Sequence, residues 1–242
     1  MRTAAALIIG NELLSGKIAD ANVVVLARAL RSLGVVLRRV VMVLDDIDVI
    51  AEEVRTLSKA HDWLFTSGGV GPTHDDVTID AIARAFGTHV MSDPSMEAML
   101  RAYYGEKLTE GHLLMARIPH GARLASTQAL PWPTVVMNNV WILPGVPEIF
   151  QAKIPLIREE LGADAPFVSH AVFTTLDEGT IKPMIDRVVS DHPDVEVGSY
   201  PRWSGLEYRT KLTFDGLDGE KVRTARDAFA ASLPDEAVVR VE

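Results

Sequence analysis

The chain has 242 residues, 48% of them hydrophobic, a formal charge of -9 and no cysteine. That much apolar matter in that length supports a substantial core, in one large domain or two modest ones, and the lack of thiols excludes disulfides, thiolate nucleophiles and cysteine-based metal sites. The acidic balance argues against nucleic acid or a membrane surface as partner, but a small anionic ligand stays open, because a local cluster of amides can reverse the field.

The first stretch, "MRTAAALIIGNELLSG", turns polar after Ile9 and reads as a strand, not a signal peptide. No apolar run reaches the length that spans a bilayer, and a cytoplasmic location is expected. "AAALIIG" is nearly unbroken in its apolar character, as in a strand of a sheet covered on both faces. "DANVVVLARALRSLG" follows as a helix, with Asp20 or Asn22 as its cap and Gly34 at its end. "VVLRRVVMVL" is the next strand. "DDIDVIAEEVRTLSKA" places Ile47, Ile50, Ala51, Val54 and Leu57 at helical spacing, and "DWLFTSG" supplies a third strand. This rhythm predicts an α/β fold, a three-layer α/β/α sandwich on a mainly parallel sheet.

Two helices are predicted next, "DDVTIDAIARAFG" and "DPSMEAMLRAYYG", the second opened by Asp93-Pro94. The region from Glu106 to Pro133 is less periodic, and its "IPHGARL" and "LPWP" pieces are expected to be loops over the ligand face. "TVVMNNVWILPGVPEIFQAKIPLIREELG" restores the pattern: two short strands turn at Asn138-Asn139, and Pro144, Gly145 and Pro147 make a rigid loop before a helix. From Pro166 the order β-α-β-β-α-β, with "LEYRTKLTFDG" from Leu206 as its third strand, suggests a smaller ferredoxin-like α/β domain. The expected domains are 1–165 and 166–242.

"TSGGVGPTHDD" (66–76) follows the third strand. A parallel strand delivers such a loop to the carboxyl edge of its sheet, where amides at the next helix N-terminus point into the crevice. Gly68, Gly69 and Gly71 permit tight turning and close approach, so the segment is either an anion site or a sharp strand-to-helix turn. It is neither a Walker A motif nor a Rossmann fingerprint. Asp76 holds a divalent cation beside phosphate oxygens, or pairs with Thr73 in a capping box. Asp75 supports that cation or biases the helix N-terminus, and Thr78 donates to a phosphate or bonds within its helix. Glu12, just past the first strand, either meets Asp76 in one crevice or is a surface glutamate. Asn11 and Ser15 are ligand donors or turn residues, Lys17 offsets phosphate charge or is simply solvated, and Asn22 reads as a helix cap. Asp45 and Asp46 contact ligand hydroxyls and cation-bound water, or cap the following helix. His74 reads as an exposed loop histidine.

Taken in order, "IGNELLSGKIADAN", "VVMVLDD", "TSGGVGPTHDDVT" and "ILPGVPEIF" resemble the molybdopterin-binding domain family, that of the MoaB, MogA and MoeA types. The likeness is nearest to the CinA competence/damage-inducible N-terminal domain and to the related domain of eukaryotic FAD synthases. It covers about residues 3 to 160, and the last third resembles the small domain that follows this module. The resemblance implies a phosphate and Mg²⁺ site in which Gly68, Gly69, Gly71, Asp76 and Thr78 match the central motif. Glu12 matches the glutamate of a "GDEL" motif, written here "GNEL" with Asn11 in place of aspartate. Asp45 matches the acid after the second strand, and Pro144, Gly145 and Pro147 match the second loop. The implied catalytic set is Glu12, Asp45 and Asp76, with Glu12 and Asp76 on the metal. The implied ligand set is Gly10, Asn11, Gly68, Gly69, Gly71, Thr73, Asp75, Thr78, Pro144, Gly145 and Pro147.

The activity so implied is divalent-metal-dependent hydrolysis of ADP-ribose or FAD with release of AMP, using Mg²⁺, Co²⁺ or Mn²⁺, and K⁺ alongside. The alternatives are a molybdopterin-binding or adenylylating protein of molybdenum-cofactor metabolism and a nonenzymatic nucleotide-binding module. The expected partner is a phosphorylated small molecule, and the resemblance implies a homo-oligomer. "ALPWPTVVMNNVWILPGVP" departs from the segment usual before the second loop, which leaves the choice among ADP-ribose, FAD and a pterin open.

Overall fold

In the computed structural model, which describes residues 1–127, 130–162, 166–204 and 207–242, the chain divides into two compact units, Met1–Ala163 and Asp164–Glu242. The expected boundary after residue 165 falls on residues outside those described.

The first unit opens with β1 (Arg2–Ile9), the short turn of helix α1 (Asn11–Leu14), α2 (Asn22–Arg31), β2 (Val35–Val43), α3 (Ile47–Ala60) and β3 (Trp63–Ser67). It continues with α4 (Thr78–Ala85), β4 (Val90–Ser92), α5 (Pro94–Tyr104), α6 (Glu110–Leu114), β5 (Arg117–Pro119), β6 (Arg123–Thr127), β7 (Leu130–Met137), β8 (Val140–Leu143) and α7 (Pro147–Leu161). Six strands form one sheet in the order β2-β1-β3-β8-β7-β6. The first four run parallel; β7 and β6 are antiparallel additions.

The unbroken apolar run of β1 has a direct cause. Successive side chains alternate between faces, and both faces are covered. Ala5, Leu7 and Ile9 pack with Ile50, Val54 and Leu57 of α3, Ile82 of α4 and Leu100 of α5. Ala4, Ala6 and Ile8 pack with Leu26 and Leu30 of α2 and Phe150, Ile154 and Ile157 of α7. Burial of the valine, leucine, isoleucine and phenylalanine side chains among these contributes about 1.5–3 kcal/mol each, which makes these two layers the main source of cohesion in the unit.

Two expected loops are strands. "LPWP" begins β7, and neither of its prolines is among that strand's paired positions, which with β8 begin only at Val135. A proline outside the ladder forfeits no hydrogen bond. In "IPHGARL", Ile118 and Pro119 belong to β5, paired antiparallel with β4, and Arg123 starts β6. The helix expected from Asp75 starts at Thr78, because the residues before it form a turn of their own. The Asn138-Asn139 turn lies between β7 and β8, with Asn138 at φ 53°.

The second unit comprises β9 (Val168–Thr174), α8 (Glu178–Asp191), β10 (Glu196–Pro201), β11 (Thr210–Gly216), α9 (Gly219–Ser232) and β12 (Val238–Val241). The strands pair antiparallel in the order β10-β11-β9-β12. With both helices packed on one core of Val172, Leu212, Phe214, Ile181, Val188, Val222 and Phe229, this is the ferredoxin-like arrangement. Leu206, where the third strand of this unit was expected to begin, lies outside the described residues.

Candidate functional site

The strand order sets the site. The parallel strands β2, β1, β3 and β8 all end at one sheet edge, and antiparallel β7 starts there. Along this edge lie, in order, Asp45, the Gly10–Glu12 turn, the Gly68–Asp76 loop, the Pro144–Pro147 loop and Trp132–Thr134. Four strand spacings of ~4.8 Å separate the two ends, roughly 19 Å in all. A cavity of about 890 Å³ is lined from every one of these segments, a volume within the roughly 300–1,000 Å³ usual for small-molecule sites.

The glycine loop is held by its own neighbours. Gly68 has φ +107°, and a Cβ there would sit 2.2 Å from the Ile9 carbonyl oxygen; Gly69 has φ +65°, with Thr78 Oγ1 at 2.4 Å from a Cβ. Both positions therefore require glycine. The Thr78 hydroxyl donates to the Gly68 carbonyl at 2.9 Å, and its N–H donates to Gly69 at 3.0 Å. Thr78, expected to donate to a phosphate or to bond within its helix, is fully buried, does not line the cavity and braces the loop through Gly68. The second loop touches the first, since a Cβ at Gly145 would lie 3.2 Å from Gly68 Cα.

Asn22, expected as a helix cap, has a different task. The N-cap position of α2 is Ala21, which offers no side-chain bond, and Asp20 one residue before it accepts from the Val23 N–H at 2.9 Å. Asn22 is 3% exposed, and its Nδ2 donates to Ser67 Oγ at 2.9 Å and to the Gly145 carbonyl at 2.8 Å, tying β3 to the second loop. Asn11, expected as a ligand donor or turn residue, pairs with Asp45 and lies outside the cavity lining. Its N–H donates to Asp45 Oδ2 at 2.9 Å, and its Oδ1 accepts from the Asp45 N–H at 3.3 Å. Asp46 accepts from the N–H groups of Asp48 and Val49 and caps α3.

Of the remaining expected residues, Gly10, Glu12, Asp45, Gly68, Gly69, Gly71, Asp75, Asp76, Pro144, Gly145 and Pro147 line the one cavity. Thr73 does not: its N–H and hydroxyl donate to Asp76 Oδ2 at 2.8 and 2.5 Å, and the hydroxyl lies 2.7 Å from Asp75 Oδ1. Asp76 thus borders the cavity while held in a local turn. Burial raises the Asp45 pKa above its ordinary value; the Asn11 N–H lowers it, and the charges of Glu12, Asp75 and Asp76 raise it further. The four acids form one repulsive cluster. Among the described residues, no group of three or more His, Asp or Glu side chains could hold a metal ion. Glu12 and Asp76, the expected metal ligands, are therefore not part of a protein-only cage.

The edge also offers donors. The N–H groups of Gly69, Val70 and Gly71, and those of Gly145 and Val146, take no partner among the described residues. Lys153 went unremarked in the sequence. It lies on the apolar stripe of α7 between Phe150 and Ile157, which was the available signal. Lys153 is 2% exposed and lines the cavity, and its Nζ donates to the carbonyls of Trp132 and, at 3.3 Å, Pro133. Burial pulls its pKa down to about 8.

Comparison with known proteins fits this geometry. Residues 5–161 match the model of a probable molybdopterin binding domain, and residues 166–242 match the FAD synthase middle domain. A protein of Archaeoglobus fulgidus is 32% identical over 94% of this chain and 96% of its own length. A probable FAD synthase of Caenorhabditis elegans is 33% identical over 90% of this chain, which spans only 47% of that protein. The crystal structure of a CinA protein of unknown function from Thermoplasma acidophilum superposes with a TM-score of 0.61. It is 31% identical and covers 66% of this chain and 98% of that one. The chain belongs to the probable molybdopterin-binding domain family, joined here to a domain like the middle domain of FAD synthase.

Proposed function

We propose that the first unit binds a phosphorylated pterin or a related nucleotide, with its phosphates on the glycine loop, as a molybdopterin-binding or adenylylating protein of molybdenum-cofactor metabolism. One observation carries this reading: five backbone N–H groups without a partner among the described residues, on two loops that meet at Gly68 and Gly145, border a single cavity of about 890 Å³. Such amides bind phosphate oxygens and stabilise charge that grows on them during transfer. In adenylyl transfer, an oxygen of the ligand's phosphate would attack the α-phosphorus of ATP. The bond to the β-phosphate bridge would break, and pyrophosphate would leave. The loop amides hold the reacting groups in line.

The acids constrain this picture. At ~4 Å, two like charges repel by roughly 4 kcal/mol at an effective dielectric constant near 20, so a phosphate entering beside four carboxylates needs a counter-cation. Mg²⁺ typically uses one or two carboxylates together with substrate phosphates, a role Glu12 and Asp76 fit without a cage. Such an ion would supply charge neutralisation at the phosphates. A second reading, hydrolysis of ADP-ribose or FAD to AMP, is favoured by Asp45, whose raised pKa suits a proton acceptor from water.

A mass-spectrometric screen separates these readings. The chain is incubated with molybdopterin, FAD or ADP-ribose, with and without ATP, across Mg²⁺, Mn²⁺ and Co²⁺. An adenylylated pterin supports the leading reading, and AMP released from a dinucleotide supports the second. Binding of a phosphorylated ligand without product leaves a nonenzymatic module. Gly69→Ala should weaken every phosphate-bearing ligand at least tenfold; unchanged affinity in a folded variant overturns the placement of phosphate on this loop.

A further inference from the structure

The glycine loop accounts for one part of the cavity. At β7 and α7, two strand spacings beyond β3 along the edge, the same cavity is lined by two polar side chains that the phosphate site does not use. Thr134 is 1% exposed, and its Oγ1 has no hydrogen-bond partner among the described residues. Lys153 is similarly buried, and its Nζ has two carbonyl acceptors, on Trp132 and Pro133. An ammonium carries three N–H donors, so one remains. The Pro133 carbonyl that holds this lysine belongs to the peptide bond that leads into Thr134, and both residues line the same cavity.

A buried hydroxyl without a partner and a buried ammonium without a carboxylate are each unfavourable in an empty fold. A ligand that satisfies both removes the penalty. We propose that Thr134 and Lys153 form a second polar subsite that reads the lactam edge, a ring carbonyl beside a ring N–H, of a planar heterocycle whose phosphate lies on the glycine loop. The proposal rests on the phosphate-binding reading above and adds the class of ring. The third N–H of Lys153 donates to the ring carbonyl, a charge-assisted bond stronger than a neutral one. The Thr134 oxygen accepts from the adjacent ring N–H. Tyr104, Met115 and Trp132 line the cavity as well, and side chains of these types suit the faces of a flat ring. Pterins, flavins and 6-oxopurines carry this edge. In adenine the group protruding furthest from the ring is an amine, a donor that would face the ammonium donor.

Calorimetric titration of the full chain with IMP and AMP tests this, because the two share sugar and phosphate and differ at the ring edge. The wild-type chain is expected to bind IMP at least tenfold more tightly than AMP. Thr134→Val and Lys153→Met should each abolish the preference for IMP without weakening AMP, while Thr134→Ser keeps the preference. Both apolar variants should melt at or above the wild-type temperature, which separates loss of a contact from loss of fold. Equal affinity for IMP and AMP in the wild-type chain, or variants that weaken both alike, overturns the subsite and leaves the phosphate-binding reading standing. No binding of either nucleotide overturns both.

Discussion

Lys153 shows how one residue can oppose the fold that contains it. Removing an ammonium from water without a carboxylate partner is costly, and the fall of its pKa to about 8 measures that cost. Below pH ~8 the lysine is protonated in both folded and unfolded chains, and the penalty is fully present. Between about 8 and 10.5 the unfolded chain holds more protons than the folded one, so stability rises with pH across that window. Lys153→Met should therefore stabilise the protein at pH ~7, on the order of a few kcal/mol, and flatten that rise. Urea unfolding at pH ~7 and ~10 measures both effects; a destabilised Lys153→Met with the rise intact would contradict this account. The sequence placed Lys153 on an apolar stripe without saying why, because a stripe position does not reveal which carbonyls stand opposite. Asn22 was misread for the same reason: its partners, Ser67 and Gly145, are 45 and 123 residues away.

Helices and strands were more legible than the segments between them. The α3 helix could be read from its apolar spacing and its cap. Asp46 accepts two N–H groups at its N-terminus, from Asp48 and Val49, so Asp46→Ala should cost about 1 kcal/mol, read as a lower urea midpoint at unchanged slope. A midpoint that does not move would show that the helix is held by packing alone. The neighbouring Asp45 does the opposite and faces the cavity. Two adjacent aspartates after one strand look alike in sequence, and only the direction in which the strand exits separates them. The "LPWP" stretch misled because proline-rich text usually reads as loop, whereas β7 keeps its prolines off the ladder. The turn at 73–76 misled in a related way: Thr73 and Asp76 do bond, but in a turn that precedes α4 and does not cap it.

Across the whole chain, each unit carries a hydrophobic core built from its own residues, and the proposed ligand touches only the first. Hydrogen exchange with a bound phosphorylated ligand should slow at residues 69–71 and 145–146 together, because their amides have no partner among the described residues and line one cavity. Slowing in one of these segments alone would argue against a shared site. Period-two and period-three-to-four apolar patterning was enough to determine the α/β class, the order of the main elements and the ferredoxin-like second unit, because burial of one or both faces imposes those periods on the chain itself. Glycines beside acids likewise marked the loops. The tertiary structure alone decided which acids share a cavity, that Thr78, Asn11 and Asn22 brace it, and that Thr134 and Lys153 complete its far end. Those roles depend on distances between residues far apart in the chain, which strand order sets and local patterning does not encode.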